Sequence, residues 1–409
     1  MKNLGRIGRS GFALAGLIFA LAIFQHLNGV KAAGGPAQPA GSPFRVLAPI
    51  QSGNLLLFPV VRADARSTAE SPFITLDEGF KSGEVEVTEA GRAQGLVRPR
   101  GDGPVVRPRG DEVNTLVLVN HSKRPLLLLA GEIVAGGKQD RIIAKDRIVP
   151  ADGDPIDLSV FCIEPGRWTG STASFGAAGK SAAKSFMVQP EVRENAMVAQ
   201  DQQQVWNSVN GAISQMEVAA APPPAPGGVS GGLSSGTPRT LATTSYAKAM
   251  QDSVVSEKVD EAAAPVMQGR EQALAKLREE HAVGVVVAVH GEIIWADLFA
   301  NTDLLARYWT KLVRSYAAES LAEGEDHAAP GIADAQHFLD APSGGTETSE
   351  GDVGIYRYRE LKSGNTETFV LESLLPGAAY DVHISKMKVR NPVRRVSKPL
   401  PGIPPQIYR

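Results

Sequence analysis

The sequence has one cysteine, Cys162, which excludes an intramolecular disulfide. In an oxidising compartment the fold must then rest on core packing rather than on covalent cross-links. Cys162 lies in the apolar run SVFCIE and reads as a small buried hydrophobe. A dominant charge of one sign is also missing. With 42 basic and 44 acidic residues the formal net charge is −2, so there is no basic footprint for nucleic acid. The seven histidines are scattered, without H-E-x-x-H or a pair spaced for one helical face. No metal and no cofactor is therefore expected. Long hydrophobic runs are absent too. The apolar stretch from Gly11 to Phe24 stops at Gln25, His26 and Asn28, whereas a membrane span needs roughly 20 apolar residues.

That short stretch follows Lys2, Arg6 and Arg9 and precedes the small residues Val30 and Ala32. A basic segment, an apolar segment and a V-x-A ending read as a secretory signal peptide over 1–32, cut after Ala32. The expectation is an exported protein, periplasmic or extracellular, with no transmembrane span after cleavage. Losing Lys2, Arg6, Arg9 and Lys31 leaves 38 basic residues against 44 acidic ones, an ordinary balance for solubility.

A Gly/Pro/Ala leader (33–43) is followed by short β-like runs separated by turn residues: FRVLAPI, LLLFPVV, EVEVT, VNTLVLVN, PLLLLAGEIV, RIIAKDRIV and PIDLSVFCIE. These predict an antiparallel sandwich or barrel-like half over 44–165. Thr75, Glu78 and Gly83 mark one short helix by a capping box and a C-terminal glycine. From 190 to 281 the period turns helical, with Trp206, Val209, Ile213 and Met216 on one stripe. Residues 219–238, with five prolines, five glycines and no charge, predict a disordered loop. VGVVVAVHGEIIWADLF predicts a hairpin turning at His290-Gly291. A helix then carries Leu305, Trp309, Leu312 and Tyr316 on its apolar face, ending near 323. Residues 326–352 read as a linker, 353–387 as a small β unit, and 388–409 as a basic disordered tail. The fold class is α+β.

Several catalytic-looking patterns have simpler readings. Two G-x-S-x-G matches, starting at Gly228 and Gly232, lie inside the Pro/Gly-rich loop, without the strand and helix that a nucleophile elbow requires. Gly179-Lys180-Ser181 lacks the first glycine of a P-loop. The duplicated VRPRGD (97–102 and 106–111) reads as a repeated turn. Asp152, Asp154 and Asp157 lack the EF-hand order.

Unusual residues concentrate at 125–168. Glu132 follows an apolar strand, and Gly136-Gly137 allow close backbone approach. Lys138, Gln139, Asp140 and Arg141 then crowd polar groups between two apolar runs, and Glu164, Arg167 and Trp168 end another. Carboxylate, guanidinium and aromatic groups at strand ends suit a polar ligand. The same groups could instead form an internal salt-bridge network that holds turns.

PLLLLAGE, the G-x-K-Q-D-R run, VPA at 149–151, CIEPGRW, the hairpin and LARYWTKLVRSYA together resemble the ARG and Rhodanese-Phosphatase-superfamily-associated Protein domain (ARPP). The resemblance covers roughly 44–325 and departs at Ala130, where an acidic residue is expected before Gly-Glu. It implies a β-rich front half, helices, then a hairpin and helix, and it brings no established reaction. Two functions stay open. One is a binding or interaction domain for a polar small molecule or protein partner, with its site around 131–168. The other is a hydrolase or transferase acting on a glycosyl or nucleotide-sugar compound, with Glu132 or Glu164 as acid/base and Arg141 or Arg167 holding the anion.

Overall fold

A computed structural model describes residues 43–62, 69–89, 115–166, 172, 175–179, 181, 184–222, 240–267, 270–325 and 327–390. The segment 1–32 read as a signal peptide, both VRPRGD copies, most of the Pro/Gly-rich loop, Arg167, Trp168 and the tail beyond 390 lie outside the described residues.

The strands β1 (Phe44–Val46), β2 (Ile50–Ser52) and β3 (Leu55–Arg62) come first. Then β4 (Ile74–Thr75) runs into α1 (Leu76–Ser82). Thr75 Oγ1 accepts from Glu78 N at 3.3 Å, and Glu78 Oε2 accepts from Thr75 N at 2.9 Å, the reciprocal pair that the capping box requires. The strands β5 (Val85–Glu89), β6 (Thr115–Asn120), β7 (Leu126–Leu128), β8 (Ile133–Gly136), β9 (Arg141–Ile143), β10 (Arg147–Val149), β11 (Ile156–Cys162) and β12 (Phe175–Ala177) follow. They form a six-stranded sheet, β12-β8-β9-β11-β6-β5, and a three-stranded one, β10-β7-β4. Its end strands β5 and β12 meet, so the larger sheet is nearly closed and barrel-like. Leu118, Leu128, Ile143, Val149 and Leu158 fill it. The pairing of β4 with β7 is parallel, a departure from the antiparallel expectation.

The helical section holds α2 (Pro190–Glu194), a π-turn at Asn195–Ala199, α3 (Gln202–Ala219), α4 (Tyr246–Gln251), α5 (Ser253–Met267) and α6 (Arg270–Glu279). On α3 the buried stripe is Val205, Val209, Ala212, Ile213 and Met216; Trp206, placed on it by the sequence pattern, is half-buried instead. The hairpin of β13 (Ala282–Val289) and β14 (Glu292–Phe299) turns at His290 (φ 51°) and Gly291 (φ 79°). Only glycine fits at 291, because a Cβ there would lie 2.5 Å from the His327 carbonyl oxygen.

After α7 (Thr302–Glu319) come α8 (Ile332–Asp340), β15 (Thr346–Asp352), β16 (Tyr356–Ser363), β17 (Thr366–Ser373) and β18 (Tyr380–Lys388). The segment read as a linker is thus a helix and a strand. The strands of 353–387, read as a small β unit, also do not stand apart. β18 pairs with β14, and one nine-stranded antiparallel sheet runs β1-β3-β13-β14-β18-β17-β16-β15, with β2 also on β3. Strand alternation gives this sheet two buried faces. Leu55, Leu57, Val285 and Val287 point into the main core with α7, while Leu56, Phe58, Val286 and Ala288 point the other way. Helix α8 covers that second face with Ala335, Phe338 and Leu339, at i, i+3 and i+4. Lys386 on β18 donates to the carbonyls of Leu339 (3.1 Å) and Ala341 (2.6 Å), which satisfies the end of α8.

Candidate functional site

The polar residues singled out in the sequence fall into separate settings. Gln139, Asp140, Arg141 and Glu164 come together, all buried. Gln139 Nε2 donates to Glu164 O (3.1 Å), and Arg141 Nη1 donates to Gln139 O (2.6 Å). Asp140 accepts from Gly136 N and from Ser245 Oγ, both at 2.9 Å, and its own N–H donates to Glu164 Oε2 at 3.3 Å. Lys248 pairs with Glu164 Oε1 at 3.1 Å. Ser245 caps α4, so these carboxylates tie the β8–β9 turn to that helix end. Half-buried Lys138 takes part through its backbone, donating to Glu89 Oε1 at 3.0 Å.

Glu132 belongs to a different group. Its Oε2 accepts from Leu129 N (2.8 Å), closing the turn, and its Oε1 meets Lys311 Nζ on α7 at 2.5 Å. Lys311 also touches Asp77 at 2.7 Å. Burial pushes the Glu132 carboxyl up from its ordinary value. Burial alone would lower Lys311, but Glu132 and Asp77 outweigh it and hold the ammonium charged. At Gly131 (φ +94°) a Cβ would lie 2.8 Å from Met187 Cε and 2.9 Å from Arg193 Cδ. The glycine is explained by that packing.

The strongest charge cluster carries no local sequence signal. His383 on β18 meets Asp146 Oδ2 at 2.6 Å and Asp297 Oδ1 at 3.1 Å, with all three side chains fully buried. Asp297 Oδ2 accepts from Arg193 Nη1 at 2.8 Å and from Tyr316 Oη. Ser385 Oγ donates to Asp297 Oδ1 (2.9 Å) and accepts from Arg193 Nη2 (3.0 Å), and the guanidinium lies 4.7 Å from the centre of the Trp295 ring. Two carboxylates, an imidazole and a guanidinium make a solvent-excluded set joining the β9–β10 turn, β14, β18 and α2. Removing one member of such a sealed group leaves an uncompensated buried charge, which is strongly destabilising. Asp297 is the one charge in the apolar strand IIWADLF, whereas His383 stands in AYDVHISKM beside Asp381 and Lys386, with nothing to set it apart.

A cleft of about 600 Å3 opens where the segment after β12 meets α4, α5 and α7. Phe186 and Met250 supply apolar surface, and Lys184, Ser256, Asp260 and Arg314 supply the polar groups. The α5 residues on it (253, 256, 257, 260, 261 and 264) repeat at helical spacing, so one face of α5 forms a wall. Asp260 sits between two cations: its Oδ1 meets Arg314 Nη1 and its Oδ2 meets Lys184 Nζ. Arg314 Nη2 lies 3.4 Å from Ser256 Oγ, while its buried Nε has no hydrogen-bond partner. Burial lowers the pKa of Arg314 and, together with the nearby Arg314 charge, that of Lys184. None of these residues carried a motif. They come from three stretches that only the fold brings together.

Among the described residues no group of three or more His, Cys, Asp or Glu is placed to hold a metal ion. No helix among them is long and apolar enough to cross a membrane. Cys162 is buried, and burial pushes its thiol up to about 11, so it is no nucleophile at neutral pH.

The family model of the ARG and Rhodanese-Phosphatase-superfamily-associated Protein domain, ARPP-1, matches residues 43–387. The chain belongs to this family. The ARPP-1 match extends past the 44–325 of the sequence resemblance and takes in α8 and β15–β18, in keeping with the single nine-stranded sheet. No curated protein and no solved structure matches the chain.

Proposed function

We propose that this protein is an exported binding protein, and that a small polar ligand occupies the cleft between α5 and α7. The observation that carries the reading is the character of the cleft. At about 600 Å3 it has the size of a small-molecule site, and it places two cations and a serine beside apolar surface. The polar block at 131–168 then serves as support. Gly131 O accepts from Val188 N at 3.0 Å, so the Glu132 turn anchors the segment that carries Lys184 and Phe186. Neither Glu132 nor Glu164, the residues named as acid/base in the hydrolase or transferase alternative, lines the cleft.

The test is a thermal-shift screen of the mature chain against sugars, nucleotides, cell-wall fragments and organic anions, run beside Ala264→Trp. A ligand stabilises by RT ln(1+[L]/Kd), about 2.7 kcal/mol at a hundredfold excess over Kd. The account expects at least one compound to raise the melting temperature of the wild type and not of the blocked variant. A compound that shifts both equally binds elsewhere and contradicts the cleft. Export is checked by N-terminal sequencing of protein from its host, which should begin at Ala33; intact chain in the cytosol contradicts it.

A further inference from the structure

Two cations converge on one carboxylate in the cleft. Arg314 on α7 and Lys184, from the segment after β12, both contact Asp260. Arg314 is buried, its Nε lacks a hydrogen-bond partner, and it nonetheless lines the cleft. Among the described residues, no other acidic side chain pairs with either cation: the nearby Glu257 and Glu261 are exposed on α5, and Glu261 pairs with Lys258 at 2.8 Å. Two cations thus share the one carboxylate of Asp260, with the Arg314 Nε donor unused, while Glu257 and Glu261 line the same cleft on the exposed face of α5. Burying charge without full compensation is costly, and a site that tolerates it is complete only when an anion arrives.

Asp260 differs from the fixed members of this group. It is half-buried, its side chain is short, and it belongs to α5, whose face is the cleft wall. A rotation about its side-chain bonds would release both cations without moving a backbone. A carboxylate ligand would only replace one negative charge with another and would compete against a tethered rival. A phosphate group carries roughly −1.5 to −2 at neutral pH and three strong acceptor oxygens. Two cations match that charge, and a guanidinium can grip a phosphate through two parallel N–H donors.

Resting on the reading of the cleft as the ligand site, we infer that Arg314, Lys184 and Ser256 form a phosphate-binding subsite, and that Asp260 is its built-in placeholder, displaced when a phosphate-bearing ligand enters. Asp260 thereby weakens binding, and it keeps carboxylates and other monoanions out.

The test is titration calorimetry of the mature chain with inorganic phosphate, and separately with acetate, at constant ionic strength. Wild type, Asp260→Asn and Lys184→Ala are compared. The expected result is measurable phosphate binding to wild type, at least tenfold tighter in Asp260→Asn and at least tenfold weaker in Lys184→Ala, with no heat from acetate. Phosphate affinity unchanged or lowered in Asp260→Asn overturns the placeholder, as does acetate binding as well as phosphate. Absence of phosphate binding in both wild type and Asp260→Asn overturns the subsite. Should Asp260→Asn fail to fold, Lys184→Ala decides alone: unchanged phosphate affinity overturns the inference, and a tenfold loss supports it. These failures differ from failure of the binding reading itself, in which no compound of the wider screen shifts the wild type.

Discussion

His383 lies between Asp146 and Asp297 with no solvent contact, so its charge state is coupled to folding. Burial alone would lower its pKa, but the two carboxylates outweigh burial and raise it above 6.5. A raised folded-state pKa contributes stability fully below the unfolded value and loses it as pH climbs through the folded one. Asp297 runs the other way: burial would raise it, yet Arg193 and His383 hold it well below the usual 3.8, so its contribution is lost on acidification below that value. Urea unfolding at pH 6, 7.5 and 9 should show wild-type stability falling more steeply toward pH 9 than that of His383→Gln; equal slopes would mean that the imidazole is not charged. Glu132 offers a second test at this scale. Glu132→Ala leaves buried Lys311 with Asp77 alone, and unpairing a buried charge costs about 3–5 kcal/mol. Chemical denaturation should show a loss toward the lower end of that range, with ligand affinity in the cleft unchanged within about twofold. Unchanged stability with abolished binding would move the ligand to the Glu132 turn.

Among the elements, α8 was hidden from the sequence and matters to the sheet. Gln336 Oε1 accepts from Val46 N at 2.8 Å, and its Nε2 donates to Phe44 O at 3.1 Å, so α8 clamps the edge strand β1. Ala335 beneath it is fully buried. Ala335→Arg forces a charge onto the covered face of the sheet and should lower stability by several kcal/mol. Thermal unfolding measures this, and a variant that melts within 2 °C of wild type (a shift of roughly 1.5 kcal/mol for a unit of this size) would show that α8 is not packed there. The capping box at Thr75, the His290-Gly291 hairpin and the β-runs of the first half were legible because each is a local pattern. The segment 326–352 was not, since IADAQHFLD offers only a short stripe and TETSEGD has no apolar residue; β15 is held by its backbone pairing with β16. The apolar stripe of α7 was legible, but the helix is buried nearly all round, so Lys311 and Arg314 on its polar side are interior groups. The polar block was likewise visible, whereas its partners were not. Lys311 is 179 positions from Glu132, and His383 is 237 from Asp146. Sequence proximity carries no signal for such pairs.

At the scale of the whole molecule, the nine-stranded sheet joins β1 at Phe44 to β18 at Lys388. The described residues between 43 and 390 form one compact unit. Removing everything after 325 would strip β18 from β14, uncover the second sheet face and leave Asp297 and Asp146 without His383. A chain of 33–325 should therefore give no cooperative thermal transition, whereas one melting like a chain of 33–409 would refute the single unit. The cleft depends on the same whole, because its walls come from residues as far apart as Lys184 and Arg314. The most direct test of the central claim is hydrogen exchange of the protein with and without the ligand found by screening. Binding in the cleft predicts added protection at 184–188, 250–264 and 310–316, and little change at 136–141 and 160–164. Protection concentrated at 136–141 and 160–164, with the cleft segments unchanged, would contradict it and return the site to the polar block.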